Sequence, residues 1–161
     1  MSIHPSADVH ASAVIEEGAQ IGEGCIIGPF AYIGADVQLG AHCVLMSHAV
    51  VKGQTTLGED NTIFSFAVIG EIPQDKKFGG EITRLEIGSR NRIREHVTVN
   101  TGTGGGGGLT KIGDDCLLMA GCHVAHDVII ANNVIVVNSA AVAGHCIIED
   151  DVIIGGLAGI H

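Results

Sequence analysis

An aliphatic residue returns every six positions through the first part of this chain: Val9, Ile15, Ile21, Ile27, Ile33, Leu39, Leu45, Val51, Leu57, Ile63 and Ile69. Gly often follows it, as in Ile21-Gly22, Ile33-Gly34 and Leu57-Gly58, and a small residue sits four positions on, as in Ala13, Ala19, Cys25, Ala31, Cys43 and Ala49. A six-residue period fits neither a helix nor an ordinary hairpin strand. It fits a parallel β-helix, in which three hexads close one triangular coil and each coil stacks on the next. The aliphatic points inward, and the small residue fills the narrow space beside a corner. Gly and Asn are read as corner residues that tolerate unusual backbone angles. No coil buries its face alone, so stability comes from stacking.

Composition agrees with a core of small and β-branched residues. Apolar residues make up 46% of the 161 positions, aromatics only 3%, and Trp is absent. One domain, residues 1–161, is expected at this length. No run of residues is apolar for long enough to cross a membrane as a helix. The opening Met1-Ser2-Ile3-His4-Pro5 lacks the basic-then-apolar pattern of a secretory signal. The cysteines Cys25, Cys43, Cys116, Cys122 and Cys146 form no CxxC pair, and the first three share the small inward position. A reducing cytoplasm fits these features.

The period fails twice. After Ile69 it returns at Ile87, Ile93 and Val99, beyond a polar segment of about 71–84. After Val99 it returns at Ile112, Leu118, Val124, Ile130, Val136, Val142, Ile148, Ile154 and Ile160, beyond a segment of about 101–110 that contains Gly104 to Gly108. Both segments read as loops expelled from the coil. Counting back from Ile160 by three hexads puts Val142, Val124, Val99 and Ile69 in one column, so both loops leave at one edge. His126, His145 and His161 follow Val124, Val142 and Ile160 and fall on that edge. Long loops on a rigid scaffold are where function concentrates.

The sharpest local motif is His123-Val124-Ala125-His126-Asp127. An imidazole takes a proton from a hydroxyl near neutral pH, and an adjacent carboxylate fixes its tautomer. Three imidazoles on one edge also permit a zinc site like that of β-helix carbonic anhydrases. The glycine run lacks the Gly-Lys-Ser/Thr ending of a phosphate loop. The net charge of −10 argues against general nucleic-acid or membrane-surface binding. All basic residues except Lys52 lie in one belt: Lys76, Lys77, Arg84, Arg90, Arg92, Arg94 and Lys111. That belt reads either as a solvated rim or as a landing site for an anionic substrate or acidic carrier.

Several segments, in order along the chain, resemble the UDP-N-acetylglucosamine O-acyltransferases of lipid A biosynthesis. They are Ile69 to Asp75, Ile87 to Glu95, Gly107 to Lys111, His123 to Asp127, Ala143-Gly144-His145 and Ile154-Gly155-Gly156. The resemblance implies a left-handed coil and a cytoplasmic homotrimer with sites between subunits. It implies transfer of an (R)-3-hydroxyacyl chain from acyl carrier protein to the 3-hydroxyl of UDP-N-acetylglucosamine, with no metal or dissociable cofactor. His126 matches the general base, Asp127 its orienting carboxylate, and the Gly144 N–H the oxyanion donor. Asp75 matches a residue binding sugar hydroxyls, and Gln74, Lys77, His123, His145 and His161 match other substrate-pocket positions.

The chain carries Asn100-Thr101 where the family commonly has His-Arg. It also stops at His161, where family members continue into further coils and a C-terminal helical domain, so that domain is expected to be absent. The competing readings are a related UDP-sugar N-acyltransferase, a CoA-dependent sugar acetyltransferase, a zinc protein and an inactive scaffold.

Overall fold

The computed structural model describes residues 2–161 and contains twenty-four short strands in three parallel sheets of eight. Strands three apart in sequence are neighbours in each sheet, so the chain winds through eight triangular coils of a left-handed parallel β-helix. Most strands are two residues long with one outward and one inward side chain, as in Tyr32–Ile33 and Val50–Val51. The inward aliphatics stack in register: Ile33 on Val51, Val51 on Ile69, Ile69 on Val99, Val99 on Val124, and on to Val142 and Ile160. This is the column that the six-residue period predicts. Backbone N–H groups donate to the next coil throughout, as Val50 does to Ala67 (2.9 Å) and His123 to Ala140 (2.9 Å).

The corners work differently from the sequence expectation. The glycines that follow the aliphatics are there because coils approach closely. A Cβ at Gly22 would lie 2.7 Å from the Gly40 carbonyl, and one at Gly40 would lie 2.6 Å from that of Gly58. The left-handed backbone conformation falls two residues later, and mostly on residues with side chains, among them Phe30, His48, Asp60, Asp127 and His145. Such a residue costs about 1–2 kcal/mol over an ordinary conformation. The coil-to-coil hydrogen bonds that the turn permits offset it.

One corner of the interior is polar. Asn61 donates to the carbonyls of Gly58 (3.0 Å) and Gly88 (2.8 Å), and its oxygen accepts the Asn91 N–H (3.0 Å). Asn91 repeats the pattern one coil on, donating to Gly113 (2.9 Å) and accepting the Cys116 N–H (2.8 Å). Both Asn residues are fully buried, in line with Cys25 and Cys43 at the small inward position.

Both interruptions leave the third sheet and rejoin the first. The first follows Val68–Glu71 and returns at Arg84–Ile87, and the second follows Thr98–Asn100 and returns at Leu109–Ile112. The expelled segments, 72–83 and 101–108, are therefore shorter than the sequence suggests. The four-residue strand Gln54–Leu57 pairs with Arg84–Ile87, and that strand pairs with Leu109–Ile112, so the wall is longer at these coils. The loops also support each other. Thr101 N–H donates to Glu71 (3.0 Å), Gly102 N–H to Arg84 (3.2 Å), and Arg84 N–H to Gly108 (2.8 Å).

Replacing Asn91 with Ala leaves the Gly113 carbonyl and the Cys116 N–H without their side-chain partner in the interior, while the backbone N–H that Asn61 accepts remains. We expect a loss of about 3 kcal/mol by chemical denaturation. Gln38→Ala, at an exposed outward strand position of the first sheet, is expected to cost less than about 0.5 kcal/mol in the same assay.

Candidate active site

His126 and Asp127 lie in the turn that follows the strand His123–Val124, at the corner from which both loops depart. Asp127 adopts the left-handed conformation (φ 59°), which turns its side chain back toward its neighbour. His126 Nδ1 and Asp127 Oδ2 are 2.8 Å apart. The carboxylate side chain is 1% exposed and the imidazole 16%. A carboxylate only accepts, so the proton of the neutral imidazole sits on Nδ1 and Nε2 is free to accept.

Asp127 is held on every side. The Thr103 hydroxyl donates to Oδ2 (2.6 Å) and the Thr103 N–H to Oδ1 (2.9 Å). The Asp127 N–H donates to Thr110 Oγ1 (2.8 Å). Burial pushes the carboxyl up, but the hydrogen bonds from Thr103 and His126 outweigh it and hold the group below its ordinary range. His123 is half-buried and bonds through Nδ1 to Thr98 Oγ1 (2.7 Å). Burial first, and the neighbouring His126 second, push its imidazole down, toward the neutral form.

In the coil above, Gly144 takes the place corresponding to His126, and His145 that corresponding to Asp127. A Cβ on Gly144 would lie within 2.6 Å of the His126 ring, so a side chain there would displace the imidazole. The rings of His126 and His145 meet edge to face, with centroids 5.1 Å apart. The three edge histidines therefore do not form one stack. They sit two, three and one residues beyond their aliphatics, and His161 is exposed at the last strand's end.

The loops add a cavity of about 190 Å³ lined by Asp75, Lys77, Glu81, Thr103, Gly105 and His145. Three of the predicted pocket residues thus share one space, while Gln74 is exposed outside its lining. Sequence reasoning missed Glu81 and Thr103. Glu81 joins the loops by accepting the Gly104 N–H (2.9 Å) at the start of the short 3-10 turn Gly104–Gly106. No periodic position marked either residue. The sequence reading places Thr110 at the end of the second loop, whereas it is buried in the wall, at the small inward position two residues before Ile112.

The basic belt does not form one patch. Arg90 pairs with Asp115 (2.8 Å) and Asp114 (3.3 Å), and Arg94 with Glu95 (2.9 Å). Arg92 lies outward on the second sheet and Lys111 on the first. Ligand atoms of His126, Asp127 and His145 lie within 4.8 Å of one another. They hold a metal ion only if Asp127 Oδ2 gives up the donors from Thr103 and His126.

A sequence profile described as bacterial transferase hexapeptide (six repeats) matches residues 2–35, 18–53 and 109–144. The acyl-[acyl-carrier-protein]--UDP-N-acetylglucosamine O-acyltransferase of Paracoccus denitrificans is 70% identical over 99 residues, 62% of this chain and 38% of that protein. The structure of UDP-N-acetylglucosamine acyltransferase from Campylobacter jejuni is similar over 96% of this chain and 60% of its own, with 42% identity and a TM-score of 0.91. The Arabidopsis UDP-N-acetylglucosamine acyltransferase is similar over 99% and 61%, with 35% identity and a TM-score of 0.75. The chain thus spans about 60% of the length of these solved relatives.

The depressed Asp127 carboxyl predicts a pH effect on stability. Its folded value lies below the ordinary 3.8, so its contribution is complete above that pH and is lost as pH falls through the folded value. Asp127→Asn is expected to be less stable at pH 7 and to lose less on acidification below about pH 4, as read by thermal unfolding across pH.

Proposed function

This chain belongs to the bacterial hexapeptide transferase family, and on that premise we propose that it is an O-acyltransferase. It moves an (R)-3-hydroxyacyl chain from acyl carrier protein to the 3-hydroxyl of UDP-N-acetylglucosamine, the first step of lipid A biosynthesis. The observation that carries this reading is the His126–Asp127 pair, 2.8 Å apart with its carboxylate buried, at the corner where both loops converge.

His126 Nε2 accepts the proton of the sugar 3-hydroxyl as its oxygen attacks the thioester carbonyl. Asp127 holds the Nδ1 tautomer and stabilises the imidazolium that forms. The Gly144 N–H, beside the His126 ring, donates to the developing oxyanion. The C–S bond then breaks and His126 returns the proton to the departing thiolate, so no metal or dissociable cofactor takes part. Asp75 and Lys77, on the first loop, line the cavity with His145 and suit the sugar hydroxyls and the diphosphate. Gln74, His123 and His161 complete the substrate positions. The protein works in the cytoplasm as a homotrimer, with this edge facing a neighbouring subunit.

His126→Ala is expected to lower acyl transfer by about 10³-fold while leaving the far-UV circular dichroism unchanged. Near-normal transfer by that variant would sink the reading. Faster acylation of a 3-O-acylated UDP-glucosamine than of UDP-N-acetylglucosamine would reassign the chain to the N-acyltransferases.

A further inference from the structure

Asp127 is the only charged residue buried among the described residues, and the glycine-rich loop is folded over it. A Cβ at Gly106 would overlap the Asp127 carboxylate, and one at Gly102 would lie 2.8 Å from Oδ1. Thr103, between these glycines and 6% exposed, meets both carboxylate oxygens, one through its hydroxyl and one through its backbone N–H. Thr103 is itself fixed. Its carbonyl accepts the N–H groups of Gly106 (3.1 Å) and Gly108 (2.8 Å), and its hydroxyl oxygen accepts the Gly106 N–H (3.1 Å).

A carboxylate on a short side chain rotates about its last bond unless something stops it. One donor on each oxygen stops it. The Thr103 hydroxyl and His126 Nδ1 share Oδ2, so the direction in which that oxygen faces the imidazole is set jointly.

We propose that Thr103 is a positioning residue for acyl transfer, its paired donors fixing the rotation of Asp127 and through it the orientation of His126. The proposal rests on the reading of His126 as the base. The loop thereby acquires a role in the reaction without touching the reacting atoms. Gly102 and Gly106 leave room for the backbone to pass directly over the buried carboxylate. The alternative is a Thr that merely caps the 3-10 turn.

Thr103→Val and Thr103→Ser, made in the intact chain, separate the two. A positioning role predicts that Thr103→Val lowers kcat by about 30-fold, with KM for each substrate within about threefold of the original. It predicts that Thr103→Ser, which keeps the hydroxyl, restores kcat. Carbon-13 titration of the Asp127 carboxyl, assigned with Asp127→Asn, is independent of activity. Its midpoint should rise by about half a pH unit or more in Thr103→Val and stay in place in Thr103→Ser. If Thr103→Val does not fold, Thr103→Ala takes its place. An unmoved Asp127 midpoint overturns the proposal even where kcat falls, because a loop cap alone gives that pattern. A wild-type chain inactive on both substrates would defeat the function while the titration still decides the Thr103–Asp127 contact.

Discussion

Coil-to-coil contact at one strand spacing, about 4.8 Å, constrains everything else in this fold. Every residue stacks on its equivalent one coil away, so the interior admits only side chains that tolerate their own copies above and below. Ile, Leu, Val, Ala and Cys meet that condition, and so does Asn where its amide relays hydrogen bonds from coil to coil, as Asn61 does to Asn91. A surplus residue has nowhere to go within the wall. It is ejected at a corner, where the chain already turns. The second loop leaves from the corner the first has opened, and the two share backbone hydrogen bonds through Glu71, Arg84 and Gly108.

The buried carboxylate is the one place where this economy is broken. Removing an ion from water costs several kcal/mol unless donors replace the lost hydration. Asp127 receives the hydroxyl and N–H of Thr103 and the imidazole of His126. The expelled residues supply two of these donors, so the loop that the wall rejects makes the buried charge tolerable. Glu81 ties the first loop to the same turn through Gly104. The two loops and the His126–Asp127 pair form one hydrogen-bonded unit.

The scaffold was readable because its period repeats at every coil, and an error in register at one hexad is corrected by the next. Ile69, Val99, Val124, Val142 and Ile160 share a sheet as the spacing requires. Loop boundaries were less readable. Arg84, Leu109 and Thr110 fall within the segments that the hexad count expels, yet they lengthen strands of the first sheet. The edge histidines follow strands of one sheet, as the spacing requires, but at different places in the turn. A turn has distinct positions, and a shift of one residue exchanges the place of the His126 ring for that of Asp127. Thr103 and Glu81 belong to no period at all, and only the three-dimensional path of the loops reveals them. The basic belt was compact in sequence and scattered in space, because successive hexads face different sides of the triangle.

The pairing of imidazole and carboxylate on consecutive residues depends on the turn itself. In a strand, neighbouring side chains point to opposite faces, so a His-Asp dipeptide in the wall would send one group inward and one outward. At the corner, the left-handed conformation of Asp127 breaks that alternation and lets adjacent side chains meet. The next coil then completes the arrangement by what it lacks. Gly144 stands where a stacked side chain would occupy the space of the imidazole, and His145 stands over the carboxylate at 4.0 Å. The aromatic column Phe30, His48, Phe66 and His96 stacks ring on ring, whereas the His126 ring has a glycine in the place of its copy above. Gly53 and Gly156 take the same place in their turns, but of the three only a Cβ at Gly144 would meet an imidazole.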